Sequence, residues 1–459
     1  MLQPDAGEIL VDGRPARPRS PHHARRLGIG MVFQHFTLFE ALTVLENIAL
    51  GLEDPPPRRV LARRLRELSE RYGLPVDPGR DVHTLSAGER QRIEILRCLL
   101  QEPRILVMDE PTSVLTPQEA DRLFAVLRRL AAEGRAILYI SHKLAEVVEL
   151  CDRATVMRAG RVVATVDPKR ETARTLARLM VGSEVREPVR TTPDLAAART
   201  VLEVDGLDLE PEHAFGVALR DVSLSVREGE ILGIAGVAGN GQKELVEALA
   251  GERRSAPGAI RLFGRPVGHL GPAARRRHGL SVLPEERLGH AAVGELDLPA
   301  NALLTAWARL RLSRFGLLRT KALRRSARRI VERFDVRTPG LDVPAATLSG
   351  GNLQRFVVGR EILQEPRVLV ADQPTWGVDA AAAAAIHREL LDLAERGCAV
   401  VLVSQDLDEL LALTDRIAVL YRGRLFPPLP TREATLEELG LMMGGMAAAE
   451  GAGVGDVRA

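Results

Sequence analysis

Residues 85–117 read LSAGERQRIEILRCLLQEPRILVMDEPTSVLTP, and residues 348–380 read LSGGNLQRFVVGREILQEPRVLVADQPTWGVDA. The two stretches align without a gap. Ser86 falls on Ser349, Glu110 on Gln373 and His142 on Gln405, each time 349 − 86 = 263 residues apart. A long internal repeat decides the architecture before any local signal does. The copies differ mainly where the first has groups that do chemistry, a carboxylate and an imidazole where the second has amides. One half therefore reads as active and the other as degenerate.

Working outward, GEILVDGRP (Gly7 to Pro15) matches GAIRLFGRP (Gly258 to Pro266) at 258 − 7 = 251, and the same offset carries GIGMVFQ onto GLSVLPE. Between the two sets of anchors the second half holds 263 − 251 = 12 extra residues, around the Arg-rich 308–329 stretch. That stretch reads as a solvated helical insertion. The apolar runs RILVMDE, AILYISH, RVLVADQ and AVVLVSQ predict parallel strands buried on both faces, since each is followed by an amphipathic stretch. The alternation predicts α/β units with right-handed crossovers. We expect a first domain over 1–183, a Pro- and Thr-containing linker over 184–200, a second domain over 201–445 and a disordered Ala/Gly-rich tail over 446–459.

Bulk properties narrow the function. At 459 residues the chain can hold two or three cores. Lys+Arg 63 against Asp+Glu 61 leaves a formal charge of +2, which does not favour nucleic acid or an anionic membrane as partner. Cys98, Cys151 and Cys398 lie far apart without metal-ligand spacing, as buried thiols of a reducing cytosol would. No apolar run reaches the roughly 18 residues of a spanning helix, and the N-terminus lacks a signal-peptide pattern. A membrane role would have to come through a partner.

Four apolar residues ending in Asp109-Glu110 fit the strand end of a nucleotide-hydrolysing site. There Asp109 would hold Mg²⁺, and Glu110 would accept a proton from the attacking water. LSAGERQR and LSGGNLQR each put Ser and Gly at a helix start, where small residues let backbone amides approach a phosphate. His142 follows the strand AILYIS, a placement from which an imidazole reaches a γ-phosphate. Gln34, after GMVF, is placed to sense Mg²⁺ and the attacking water.

The second half alone contains EGEILGIAG followed by GVAGNGQKELVEALAG, a glycine-rich turn entering a helix. Such a turn points amides at phosphates. Its Gly241 would correspond to position 241 − 251 = −10 in the first half. Repeat logic thus leaves about 50 residues of the second half without a counterpart. A start codon upstream of Met1 or a truncated gene is the simplest reading, and a pseudo-ATPase is the alternative.

Together these motifs resemble the ATP-binding subunits of ABC transporters, over nearly the whole chain. Leu85 to Glu89 looks like a signature motif, Asp109 to Thr112 like Walker B with its catalytic Glu110, and Val114 to Pro117 like the D-loop. His142 resembles the H-loop residue and Gln34 the Q-loop residue. In the second half Leu348 to Asn352 is a signature and Gly236 to Lys243 a Walker A-like loop.

The resemblance implies two tandem P-loop NTPase-type domains, each with a mainly parallel sheet and a helical signature subdomain. It implies ATP and Mg²⁺ as ligands. It also implies integral-membrane permeases as partners, an extracytoplasmic solute-binding protein acting indirectly, and a seat on the inner face of the cell membrane. Duplication in one chain resembles the sugar and nucleoside importers, with some features closer to the nucleoside type. In that family domains pair head to tail. One site would then combine Asp109, Glu110, His142 and Gln34 with Ser349, Gly350 and Gly351. The other would combine Gly236, Gly239, Asn240, Gly241 and Gln242 with Ser86 and Gly88.

Departures from the family pattern concentrate in the second half. Gln242 stands where the family has Lys, so the charge on the phosphates is lost or displaced to Lys243. Glu244 would repel phosphate. Gln373 cannot act as a base, Gln405 replaces the His and Glu285 the Gln, leaving Asp372 as a metal ligand. We expect nucleotide binding without turnover there. Two other readings stand beside the importer: a non-transport ABC ATPase acting on ribosomes or DNA, and a nucleotide-binding scaffold without hydrolysis.

Overall fold

The computed structural model describes residues 3–33, 36–112, 115–141, 143–158, 160–181, 190, 195, 197–212, 216–307, 309–314 and 317–445. The tail 446–459 and most of the expected linker lie outside them. The chain divides into two compact units, Met1–Leu179 and Met180–Ala459.

In the first unit three parallel strands, Ile29–Val32, Ile105–Asp109 and Ala136–Ile140, form a sheet in that order. Met31 pairs with Val107, and Val107 with Leu138. One face of this sheet presents Val32, Leu106 and Met108 to helices Val44–Gly51, Arg58–Tyr72 and Ala87–Leu99, which supply Ile48, Leu61, Leu65, Ile93 and Leu96 to one core. Local sequence sets where these helices start. TVLE, SAGE and TPQE each form a reciprocal capping box, through Thr43/Glu46, Ser86/Glu89 and Thr116/Glu119. Gly73, at φ 65, stops Arg58–Tyr72 in the left-handed conformation.

In the second unit the parallel strands run Leu280–Leu283, Val368–Asp372, Ala399–Ser404, Ile231–Ala235, Arg416–Tyr421. Strands Thr200–Leu209, Leu219–Arg227, Ile260–Leu262 and Arg265–Pro266 form a separate antiparallel sheet. That sheet and helix Gln242–Ala250 pack on the parallel sheet in one core. Asp415 ties strand to chain, accepting from Ile231 N at 2.8 Å and from Arg190 at 2.8 Å.

The four apolar runs are parallel strands, as expected, but burial on both faces holds only in the second unit. Leu138 is 57% exposed where its counterpart Val401 is 0%, and Ile140 is 43% exposed where Val403 is 1%. The cause is the covering layer. Val401 and Val403 lie in the core shared with strands 200–227 and helix 242–250. No described element covers the corresponding face in the first unit.

The Arg-rich stretch also differs from expectation. Helix Thr320–Arg333 buries Leu323, Ala327 and Ile330. It is the counterpart of Arg58–Tyr72, at 320 − 58 = 262, so it is not the inserted segment. The extra residues precede it and include a hairpin, Ser313–Arg314 with Leu317–Leu318. The three cysteines are unpaired; burial pushes Cys98 and Cys398 up to about 12, which keeps both as unreactive thiols.

Candidate functional site

The chemistry-bearing loop of each unit follows a central strand. Asp109 ends Ile105–Asp109, and Glu110 comes next with φ 44. The Glu110 N–H donates to Ile140 O at 2.9 Å. In the second unit Gln373 has φ 49 and its N–H donates to Val403 O at 2.9 Å. A non-glycine residue in the left-handed region costs on the order of 1–3 kcal/mol and persists only when its surroundings hold it. Both copies hold the same strain although only one carries a carboxylate.

Sequence reasoning missed a carboxylate that bonds beside each loop. Glu146, on helix Leu144–Leu150, accepts from Thr112 Oγ1 at 2.7 Å, Tyr139 OH at 2.6 Å and Ser141 Oγ at 3.2 Å. Glu409 in the second unit accepts from Thr375 Oγ1 at 2.7 Å, Ser404 Oγ at 2.6 Å and His387 Nε2 at 2.9 Å. A signal was present: Thr112/Thr375, Ser141/Ser404 and Glu146/Glu409 are identical pairs at 375 − 112 = 263.

The signature helices start differently. Ser86 Oγ accepts from Glu89 N, and Glu89 Oε2 accepts from Ser86 N, so that end is capped by its own side chains. A Cβ on Gly88 would lie 1.9 Å from Glu119 Oε1, so this glycine has a packing reason. Ser349 makes no side-chain cap to helix Gly350–Ile362; its Oγ accepts from Asn352 Nδ2 at 2.8 Å. Gly351 faces open space, and Gly350 lies against the Arg287 guanidinium.

In the second unit Ile231–Ala235 runs into Gly236, then Gly239 at φ 83 and Gly241 at φ 110, which caps helix Gln242–Ala250. This is the turn the sequence predicts. Its interior is filled by the buried Gln242 side chain, which the sequence does not reveal. Gln242 Oε1 accepts from Asn240 N at 3.2 Å, and Nε2 donates to Val237 O at 3.0 Å. One amide that the loop could aim at a phosphate is thus engaged by the loop itself. Lys243 is 77% exposed and lies 3.9 Å from Glu247, so it does not replace the missing charge. Glu244 accepts from Val217 N at 3.0 Å instead of pointing its charge into the loop.

Asp372 is buried, and burial together with the neighbouring Glu285 carboxylate pushes it up to about 8. An acid beside a second carboxylate offers oxygen donors of the kind that a hard cation takes. No group of three or more metal-ligating side chains stands among the described residues. Mg²⁺ does not require one, since it keeps water and phosphate as most of its ligands. Gln34 and His142 lie outside the described residues.

Comparison with known proteins follows the same lines. Residues 1–113 and 219–376 match the ABC transporter family. The chain is 40% identical to the guanosine import ATP-binding protein NupO of Bacillus subtilis over 449 residues, 97% of this chain and 88% of that protein. It is 42% identical to the ribose import ATP-binding protein RbsA 1 of Rubrobacter xylanophilus, over 98% of this chain and 89% of that one. Among solved structures, the complex of archaeal ribosomal stalk protein aP1 with ribosome recycling factor aABCE1 aligns with TM-score 0.60 and 20% identity. It covers 91% of this chain and 76% of that one, a likeness of fold alone.

Proposed function

This chain belongs to the ABC transporter family, and from that premise we propose that it hydrolyses ATP to drive import of a sugar or nucleoside through membrane permease subunits. The observation that carries the reading is the near-full-length identity, about 40%, to import ATP-binding proteins of both solute classes. No helix among the described residues is long and apolar enough to cross a membrane. We therefore assign membrane attachment to the permeases, and solute capture to a separate binding protein. The test is uptake of labelled nucleosides, pentoses and hexoses by cells lacking this chain. Loss of one class, restored by the chain, is expected; unchanged uptake of all three would overturn the importer reading.

Within the first unit we assign Glu110 as the base that takes a proton from the attacking water. Its backbone N–H, bonded to Ile140 O, fixes the main chain from which the carboxylate projects at the strand end. Asp109, and Asp372 in the second unit, would hold Mg²⁺, which when bound neutralises phosphate charge. His142 and Gln34 keep the phosphate- and water-sensing roles that the resemblance assigns. Ser86, Gly88, Ser349, Gly350 and Gly351 keep their nucleotide-binding roles. In this reading Glu110 takes the proton, and the two strand-end loops face the nucleotide's phosphates.

In the second unit the loop from Gly236 to Lys243 is assigned to nucleotide binding without turnover. The Gln242→Lys variant frees the Asn240 amide and restores a cation. Charge-assisted bonds contribute about 1.5–3 kcal/mol, so ATP should bind roughly tenfold or more tightly. Titration with a fluorescent ATP analogue reads this. Unchanged affinity would show that the loop does not contact phosphate.

A further inference from the structure

We propose that Glu146 is a positioning residue for hydrolysis, its carboxylate stapling the loop that carries Glu110 to the strand end that precedes His142. This rests on the assignment of Glu110 as the base. Thr112 stands two residues after Glu110, and Ser141 directly precedes His142. Both hydroxyls donate to the one carboxylate, on Oε1 and Oε2 respectively. The Ser141 Oγ also accepts from Lys143 N at 3.0 Å, which fixes its orientation. Glu110 meanwhile donates its N–H to Ile140 O, on the same neighbouring strand. The left-handed Glu110 is thus held from both sides, by its own amide and by Thr112 through Glu146.

The second copy shows what is being preserved. Glu409, Thr375 and Ser404 repeat the arrangement, and Ser404 Oγ accepts from Asp406 N at 3.1 Å. The third donor changes its origin. In the first unit it is Tyr139 on the strand, edge-on to Phe124 at 6.4 Å between ring centroids. In the second unit Leu402 stands at the Tyr139 position and His387 at the Phe124 position (387 − 124 = 263), and His387 supplies the donor from the helix. A carboxylate largely shielded from water, as Glu146 is at 12% side-chain exposure and Glu409 at 3%, needs its donors. The donor is conserved while the residue and element that supply it are not. Apolar packing alone would not require that exchange; a carboxylate kept in place by three bonds does.

The test uses the full chain assembled with its membrane subunits, measuring kcat and KM for Mg-ATP. Glu146→Ala is expected to lower kcat about tenfold to hundredfold, the size of effect that a misplaced catalytic group produces, with KM within about twofold. Thr112→Val should lower kcat in the same sense, and the Thr112/Glu146 double variant no further, because the two act as one unit. Tyr139→Leu should also lower kcat, and adding Phe124→His should recover it by rebuilding the second unit's arrangement. Amide exchange in the isolated chain gives a readout independent of turnover: the Glu110 amide should exchange at least about tenfold faster in Glu146→Ala. Unchanged exchange, or no recovery in the Phe124/Tyr139 double variant, overturns the proposal. If Glu110→Gln is inactive while these variants turn over like the wild type, this inference alone fails. If Glu110→Gln itself turns over normally, the assignment of the base fails and takes this inference with it.

Discussion

Exchanging Glu110 for Gln is expected to lower ATP turnover by about 100- to 10,000-fold, the usual contribution of a general base, while ATP affinity stays within about twofold. The amide matches the carboxylate in size but cannot take a proton. Backbone strain should not confuse the result. The second unit already carries Gln373 at that position with φ 49 and the same bond to the neighbouring strand, so the fold accommodates the substitution. Phosphate release by the intact assembly gives turnover, and equilibrium binding of labelled ATP gives affinity. A variant within tenfold of wild type would remove Glu110 from the mechanism.

The largest stability effect is expected in the helical part of the second unit. Glu361 is wholly buried and accepts from Arg276 at 2.7 Å, Arg360 at 2.9 Å and Thr305 at 2.8 Å. Burial pushes its carboxyl up, but Arg276 and Arg360 outweigh that and hold it below its ordinary value. Glu361→Ala leaves Arg360, itself 2% exposed, without a carboxylate and with the Asn301 carbonyl as its remaining acceptor at 3.2 Å. Removing one partner of such a pair costs about 3–5 kcal/mol, on the order of 10 °C in the unfolding temperature of a unit this large. Circular dichroism on heating reads it. A fall under about 2 °C would mean that Arg360 finds water or another acceptor. The first unit solves the same problem differently: Cys98 occupies the matching position (361 − 263 = 98), and Arg97 pairs with Glu94 instead.

Much of this was legible in the chain because repeats, capping boxes and strand ends are local signals. The 263-residue offset located both Asp109–Glu110 and Asp372–Gln373, and S/T-x-x-E stands at three helix starts that the repeat alone does not locate. What escaped reading depends on which distant groups share space. Nothing local says that Gln242 folds back on Val237 and Asn240, or that Lys243 turns to Glu247. The Tyr139-to-His387 exchange links a strand in one copy with a helix in the other, so position-by-position comparison shows only two unrelated substitutions. Burial was misjudged for the first unit because ILVMD and AILYI have the composition of strands covered on both sides, and composition does not say whether the second layer is present.

The row Met31, Val107 and Leu138, in register beside Ile140, has the apolar composition of a covered face. In the second unit the matching Val401 and Val403 lie in one core with strands Thr200–Leu209 and Leu219–Arg227 and helix Gln242–Ala250. The repeat thus carries the burial of a strand in what packs on it, not in the strand's own residues.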